Sequence, residues 1–333
     1  KNTEKKNIKG MRFIDLFAGI GGFHLGLSSF DTECVFVSEW DKHAQLVYER
    51  NFGIKPFGDI TLIEEKEIPP HDIICGGFPC QAFSISGKQK GFEDSRGTLF
   101  FDIVRITDYH KPKLLLLENV YNLERHDNGN TLRVITKTLD SLGYNCFYKV
   151  LNASHFGIPQ IRRRIFFVCF RKDLGITEFD FPKPTKTNSR LVDFLEKDVE
   201  DYVFPSHGKL KNLKLKDDKS VQYSLGMELE DEFVSSIRLG SINNGGQGER
   251  IYSPYGTSIT LSAYGGGVGS KTGLYLIDGS IRKLSPRECA NVTGFPKNFI
   301  LDENKNQCYK QFGNSVVVDV IQNILIEVNK KLS

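Results

Sequence analysis

Two groups in this chain have types and positions that suit chemistry: a cysteine in a Gly/Pro turn and a carboxylate at the end of a leucine run. The segment Ile74-Cys75-Gly76-Gly77-Phe78-Pro79-Cys80-Gln81 continues a β-branched run, and Gly76, Gly77 and Pro79 force an irregular turn after it. A thiol on such a loop, at the carboxyl end of a strand, stands where an open α/β sheet holds its reacting groups. Cys75, inside the run, reads as core instead. A nucleophilic Cys80 needs a lowered pKa or a neighbouring proton acceptor. Leu114-Leu115-Leu116-Leu117 read as a fully buried strand from which Glu118 emerges, followed by Asn119 and Val120. A desolvated carboxylate there has a raised pKa and can carry or share a proton, or else it is held in a buried ion pair.

A second set suits ligand binding. Asp15-Leu16-Phe17-Ala18-Gly19-Ile20-Gly21-Gly22-Phe23 reads as a strand ending in a Gly-rich turn that opens a helix, which lets backbone N–H groups approach a ligand. Glu39, about 20 positions on, fits a ribose-binding carboxylate. Trp40 offers an aromatic face for adenine. His24 stands where a dinucleotide fingerprint needs its third glycine, so a nicotinamide dehydrogenase is disfavoured and a nucleoside without a pyrophosphate fits better. The alternative is a plain tight turn beside a core tryptophan. Asp59-Ile60 suit an adenine amine or a helix cap. In Gln160-Ile161-Arg162-Arg163-Arg164, alternate arginines suit a carboxylate or phosphate, or a solvated strand face. The polar, basic stretch 84–96 suits a loop closing on a phosphate backbone, or an ordinary surface loop.

The elements that must position these groups alternate. Residues 12–17, 34–39, 72–75, 113–118 and 165–170 read as strands, and 23–29, 42–51, 98–109 and 130–142 as helices between them. That alternation predicts an α/β fold with a doubly wound, mostly parallel sheet. After Phe181-Pro182-Lys183-Pro184 the texture changes to lysines, glycine clusters at 240–248 and 265–273, and short β-like runs at 258–262 and 274–277. A second, smaller, β- and loop-rich domain follows. Residues 315–332 carry Val316, Val320, Ile321, Ile324 and Val328 at helical spacing and read as a helix returning to the first domain.

With 333 residues the chain can bury one large core and a smaller second one. A net charge of +3 does not by itself argue for nucleic acid. The seven scattered cysteines form no zinc pattern and suit a reducing compartment, so no metal and a cytoplasmic location are expected. The charged start, Lys1 to Lys6, does not read as a signal peptide, and no apolar run approaches membrane-spanning length.

Together these motifs resemble the cytosine-C5 DNA methyltransferases over essentially the whole chain. The resemblance adds Arg282-Lys283-Leu284-Ser285-Pro286-Arg287-Glu288-Cys289-Ala290 and Gln311-Phe312-Gly313-Asn314-Ser315-Val316 to the segments above. It implies a class I S-adenosylmethionine-dependent methyltransferase with a catalytic and cofactor domain at 1–188, a target recognition domain at 189–285, a hinge at 286–313 and a returning helix at 314–333. The catalytic set implied is Cys80, Glu118, Arg162, Arg164, Asn119 and Pro79. Cys80 adds to C6 of a flipped-out cytosine, and Glu118 hydrogen-bonds and protonates N3. S-adenosylmethionine would be held by Phe17, Ala18, Gly19, Ile20, Gly22, Glu39, Trp40, Asp59, Ile60, Pro79, Leu99, Asn314 and Val316, leaving S-adenosylhomocysteine. Duplex DNA would be met by Ser84, Ser86, Lys88, Gln89, Arg96, Gln247, Arg250, Tyr264 and Gly267.

Segments 76–102 and 245–253 are nearly those of a member that methylates the first cytosine of GCGC. That implies GCGC, the modification half of a restriction-modification system with a separately encoded endonuclease, and a monomer. Residues 190–238 diverge and make the target less secure than the chemistry. A tRNA cytosine methyltransferase on the same fold would carry Cys-Phe-Thr soon after Val120, where Tyr121-Asn122-Leu123-Glu124 stand instead. An inactive DNA-binding homologue would have an altered Cys80 or Glu118, and both are intact.

Overall fold

The computed structural model describes residues 7–81, 98–203, 214–215 and 233–333. Its contacts divide the chain into two compact units: Lys1–Leu151, Arg163–Pro182 and Ile321–Ser333 form the first, Asn152–Arg162 and Lys183–Val320 the second.

The first unit is built on six strands: β1 (Arg12–Leu16), β2 (Glu33–Ser38), β3 (Ile73–Gly77), β4 (Leu114–Val120), β5 (Tyr144–Asn152) and β6 (Arg163–Arg171). Their order is β2-β1-β3-β4-β6-β5, with β1 to β4 parallel and β6 antiparallel to β4. This is the mostly parallel α/β sheet that the alternation predicts. Ile73, Ile74, Cys75 and Leu114 to Leu117 are all fully buried. A strand covered on both faces must be apolar on both, which is why these runs do not alternate. The order reverses at β1, which has β2 on one side and β3 on the other, so ligands are expected at the carboxyl ends of these strands.

Helices α1 (Gly22–Ser28), α2 (Lys42–Phe52), α3 (Leu99–His110) and α4 (Asn130–Ser141) connect the strands. Asp41 caps α2 by accepting from the Ala44 N–H, and Gly53 ends it in a left-handed conformation. Thr98 caps α3 in the same way through the Phe101 N–H. Strand β5 was not foreseen. It mixes polar and aromatic residues, with Tyr148 exposed, as an edge strand with one open side can.

The second unit holds a smaller sheet of β7 (Lys214–Leu215), β8 (Arg238–Ser241), β9 (Arg250–Tyr252), β10 (Leu274–Ile277) and β11 (Ser280–Arg282), in the order β11-β10-β9-β8-β7. The run expected at 274–277 is β10. The run at 258–262 is not a strand; among the described residues it makes one isolated bridge, Ser258 to Gln160. Arg162 likewise precedes β6 rather than alternating within it.

A buried ion pair holds the end of this unit. Arg282 donates to both carboxylate oxygens of Glu288 at 2.7 and 2.9 Å, with both side chains almost wholly buried. Glu288 also accepts from the Ser285 and Glu196 N–H groups. Glu288 stands in the first turn of α5 (Pro286–Asn291), capped by Ser285, and α6 (Lys305–Gly313) follows. The last helix, α7 (Val318–Leu332), buries Ile321, Ile324, Leu325 and Val328. Gly26 of α1 leaves room for it: a Cβ there would lie 2.5 Å from Ile321 Cγ2.

Removing one partner of a buried pair strands the other charge. Arg282→Met should therefore lower unfolding stability by about 3–5 kcal/mol, read from the denaturant midpoint.

Candidate active site

At the carboxyl end of β1 the chain turns through Phe17 at φ 51° and Gly19 at φ 56°, and Gly21 at φ 96° precedes α1. The turn is tied to the end of β2. Ala18 N–H donates to the Ser38 carbonyl at 3.0 Å, and Gly19 N–H to Glu39 Oε1 at 2.9 Å. The other Glu39 oxygen accepts from Asp41 N–H at 2.8 Å. Burial pushes the Glu39 carboxyl up, against these N–H groups, which hold it down. Glu39 is thus a fixed carboxylate set into the turn.

Trp40 beside it is 76% exposed, which excludes the core-tryptophan alternative. A Cβ on Gly19 would meet nothing within 4 Å. An open face at a strained Gly turn, next to a held carboxylate and a bare indole, fits an adenosyl group. Ile60 is buried, while exposed Asp59 caps a short 3₁₀ turn by accepting from Thr61 N–H and Oγ1 at 2.9 and 2.8 Å. The helix-cap reading of Asp59 is therefore the observed one. Leu99 is the first residue of α3, and its N–H donates to Gln81 Oε1 at 2.8 Å. Asn314 caps the end of α6, and Val316 is buried within the second unit.

Beneath the turn lies a polar chain that sequence reasoning missed. Asp15 is fully buried in β1 and accepts from the Tyr48 hydroxyl at 2.9 Å. That hydroxyl is also 2.7 Å from His24 Nδ1, and His24 stacks on Phe52 with centroids 4.0 Å apart. The residue read only as a missing glycine is thus one end of this chain. Its partner stands 24 positions away, too far for any local pattern to reveal. Burial pushes the Asp15 carboxyl up to about 8, with Tyr48 and Cys75 partly offsetting it.

At the ends of β3 and β4 the second group of residues meets. Gly77 pairs with Glu118 across the parallel strands. A Cβ on Gly77 would lie 2.5 Å from Glu118 Oε2, so the carboxylate occupies the space that any other residue would fill. Arg164 Nε is 3.3 Å from Glu118 Oε1, with both side chains largely buried. Asn119, also buried, donates through Nδ2 to the Phe78 carbonyl at 2.9 Å, and its Oδ1 accepts from Val120 N–H at 2.7 Å. It therefore ties the end of β4 to the turn that carries Pro79 and Cys80. Pro79 is exposed and Cys80 half-buried against the main core. Burial pushes the Cys80 thiol up, not down, so it carries its proton at neutral pH.

Arg162 has a different place. It is buried in the second unit, where its guanidinium donates to the carbonyls of Leu261 at 3.0 Å and Gly313 at 2.7 Å, and to Gln160 Oε1 at 3.3 Å. It ties main-chain segments together, and Arg164 lies against Glu118.

The recognition candidates meet within the second unit. Two Gly-rich loops dock main chain to main chain: Gly269 N–H donates to the Gly248 carbonyl at 2.8 Å, and a Cβ on Gly248 would lie 3.0 Å from the Gly266 carbonyl. This brings the loop carrying exposed Gln247 and half-buried Arg250 against the loop of Tyr264 and Gly267. Tyr264 is 70% exposed. Ser84, Ser86, Lys88, Gln89 and Arg96 lie outside the described residues. No group of three or more His, Cys, Asp or Glu able to hold a metal occurs among the described residues.

The buried acid has a measurable signature. Between pH about 4 and about 8 folded Asp15 holds a proton that the unfolded chain, at 3.8, has released. Its contribution to stability is therefore greatest below pH 4 and is lost as pH rises towards 8, by up to ~1.4 kcal/mol per pH unit. His24, lowered to about 4 by burial, acts in the opposite direction below pH 6.5. Comparison with Asp15→Asn isolates the acid: the stability difference between the two proteins should shrink from pH 5 to 8 in urea titrations. A pH-independent difference would contradict a protonated Asp15.

Comparison with known proteins agrees with this geometry. Residues 11–330 match the C-5 cytosine-specific DNA methylase family. The Type II methyltransferase M.HhaI of Haemophilus parahaemolyticus is 54% identical over 328 residues, covering 98% of this chain and 97% of the relative. M.HaeII of Haemophilus aegyptius is 44% identical, covering 95% and 92%. The solved S. pombe Dnmt2 methyltransferase shares the fold with a TM-score of 0.65 at 19% identity, covering 95% of this chain and 96% of that one. The chain belongs to the C-5 cytosine-specific DNA methylase family and is an S-adenosylmethionine-dependent DNA cytosine-C5 methyltransferase.

Proposed function

We propose that the protein methylates the first cytosine of GCGC in duplex DNA through a covalent bond from Cys80 to C6 of the flipped-out base. The observation that carries this reading is the placement of Glu118, seated on Gly77 and paired with Arg164 at the strand end next to the Cys80 turn. Cytosine C5 is a poor nucleophile. When Cys80 loses its proton and its sulfur adds to C6, the C5–C6 double bond becomes part of an enamine that is nucleophilic at C5. Glu118 donates to N3 and stabilises the charge that addition places on the ring. Arg164 holds the Glu118 carboxyl, and Asn119 sets the distance between the Cys80 turn and β4. Burial raises the thiol, so forming the thiolate that adds to C6 requires a proton acceptor. Once C5 has gained the methyl group that S-adenosylmethionine would supply, a base takes the C5 proton, and the C6–S bond breaks to restore the aromatic ring.

S-adenosylmethionine, when bound, supplies an electrophilic methyl group and leaves as S-adenosylhomocysteine. Phe17, Ala18, Gly19, Ile20 and Gly22 would hold it along the turn, with Glu39 on the ribose, Trp40 against the adenine, and Asp59, Ile60, Pro79 and Leu99 lining the rest. Gln247 and Arg250, with the Tyr264 to Gly267 turn, would read base edges in the major groove, where arginine to guanine is the commonest specific contact. The 54% identity to M.HhaI supports the GCGC target and action beside a separately encoded endonuclease. A monomer in the bacterial cytoplasm is the accompanying reading. No helix among the described residues is long and apolar enough to cross a membrane, and all seven cysteines are free.

Bisulfite sequencing of duplex DNA treated with the protein and S-adenosylmethionine tests the reading. It should show C5-methylcytosine at the first cytosine of GCGC. Marks elsewhere would overturn the target, and no marks would overturn the activity. Cys80→Ala should lose turnover by roughly three orders of magnitude or more while retaining DNA binding. Gly77→Ala would displace Glu118 from beside Arg164. Because a 1 Å misplacement can cost on the order of a hundredfold, its turnover should fall by about that much with little change in thermal midpoint.

A further inference from the structure

The second unit holds a cavity lined in part by the Gly265–Gly267 turn. Its walls include Lys271, Lys283, Ser270, Asn306 and Tyr309. Both lysines are half-buried. Among the described residues neither makes an ion pair with a carboxylate. By contrast, Lys305 nearby lies 3.9 Å from Asp201 and 4.9 Å from the Tyr202 ring centre. Lys283 Nζ stands 5.2 Å from the centre of the Tyr309 ring. Burial lowers its pKa, and the charges of Lys271 and Lys305 lower it further. Asn306 is the second residue of the nine-residue helix α6, whose dipole adds positive potential on that side.

Two ammonium groups in one cavity, neither ion-paired among the described residues, cost free energy unless an anion joins them. We propose that this cavity is a phosphate subsite in which Lys271 and Lys283 take one phosphodiester of the DNA backbone, next to the Tyr264 to Gly267 turn. The inference rests on the chain's action on DNA, not on the target sequence or on Cys80, so failure here leaves those readings intact. A phosphate contact of this kind positions the duplex and carries no sequence information.

The test is DNA affinity as a function of salt, measured by fluorescence anisotropy on a GCGC duplex and on a duplex lacking it. Each phosphate contact contributes about 0.9 to the slope of log affinity against log salt, or roughly threefold in affinity between 50 and 200 mM. Lys283→Gln and Lys271→Gln should each flatten the slope by about one on both duplexes. Lys283→Arg should keep the slope, and KM for S-adenosylmethionine should not move. An unchanged slope in folded Lys283→Gln and Lys271→Gln proteins would overturn the proposal. It would equally be overturned if inorganic phosphate without DNA raised the thermal midpoint in a Lys283-dependent way while the slope stayed unchanged, because the cavity would then hold free phosphate.

Discussion

Glu118 sits in a space that exists only because residue 77 lacks a side chain. The parallel register of β3 and β4 sets Gly77 opposite Glu118, and the missing Cβ lets the carboxylate fold back onto the neighbouring backbone. Arg164 reaches the same carboxylate because β6 runs antiparallel to β4, so that the end of β4, Val120, stands opposite Arg164 near the start of β6. Asn119 then couples the end of β4 to the Phe78 carbonyl. Three strands and one turn therefore agree on a single acid position. A slip of one residue in any ladder would turn these side chains to the opposite face of the sheet.

In the first unit, the Asp15 and Glu39 carboxyl groups stand in surroundings that disfavour their charge. Asp15 is fully buried, and Glu39 is held by the turn and the start of α2. They are treated differently. Glu39 receives main-chain N–H groups, which favour the ionised form against burial. Asp15 receives a tyrosine hydroxyl and a thiol and stays protonated well above the usual range. The outer acid is suited to a ligand hydroxyl, and the inner one stiffens the floor beneath it.

Much of this was legible in the amino-acid order. The apolar runs of β3 and β4, the Gly turn, the Cys80 loop and the Glu39-Trp40 pair are local signals, and each element formed at or within a few residues of its expected place. The rest depends on partners distant in sequence. Arg162 and Arg164 look equivalent two residues apart, but the chain passes between units at Arg162, which bonds the Leu261 and Gly313 carbonyls, while Arg164 lies against Glu118. The Asp15, Tyr48 and His24 chain closes across two strand–helix steps. Edge strand β5 lacks the continuous apolar run that marked its buried neighbours. The sequence could state that Cys80 needs activation, but its raised thiol is a property of the fold.

Trp40 is the only tryptophan in the 333 residues, and it lies three-quarters exposed beside Glu39. The indole emission of the whole protein therefore originates at the rim of the Gly turn between β1 and α1. The chain carries an intrinsic optical reporter there, with no second indole elsewhere to dilute its signal.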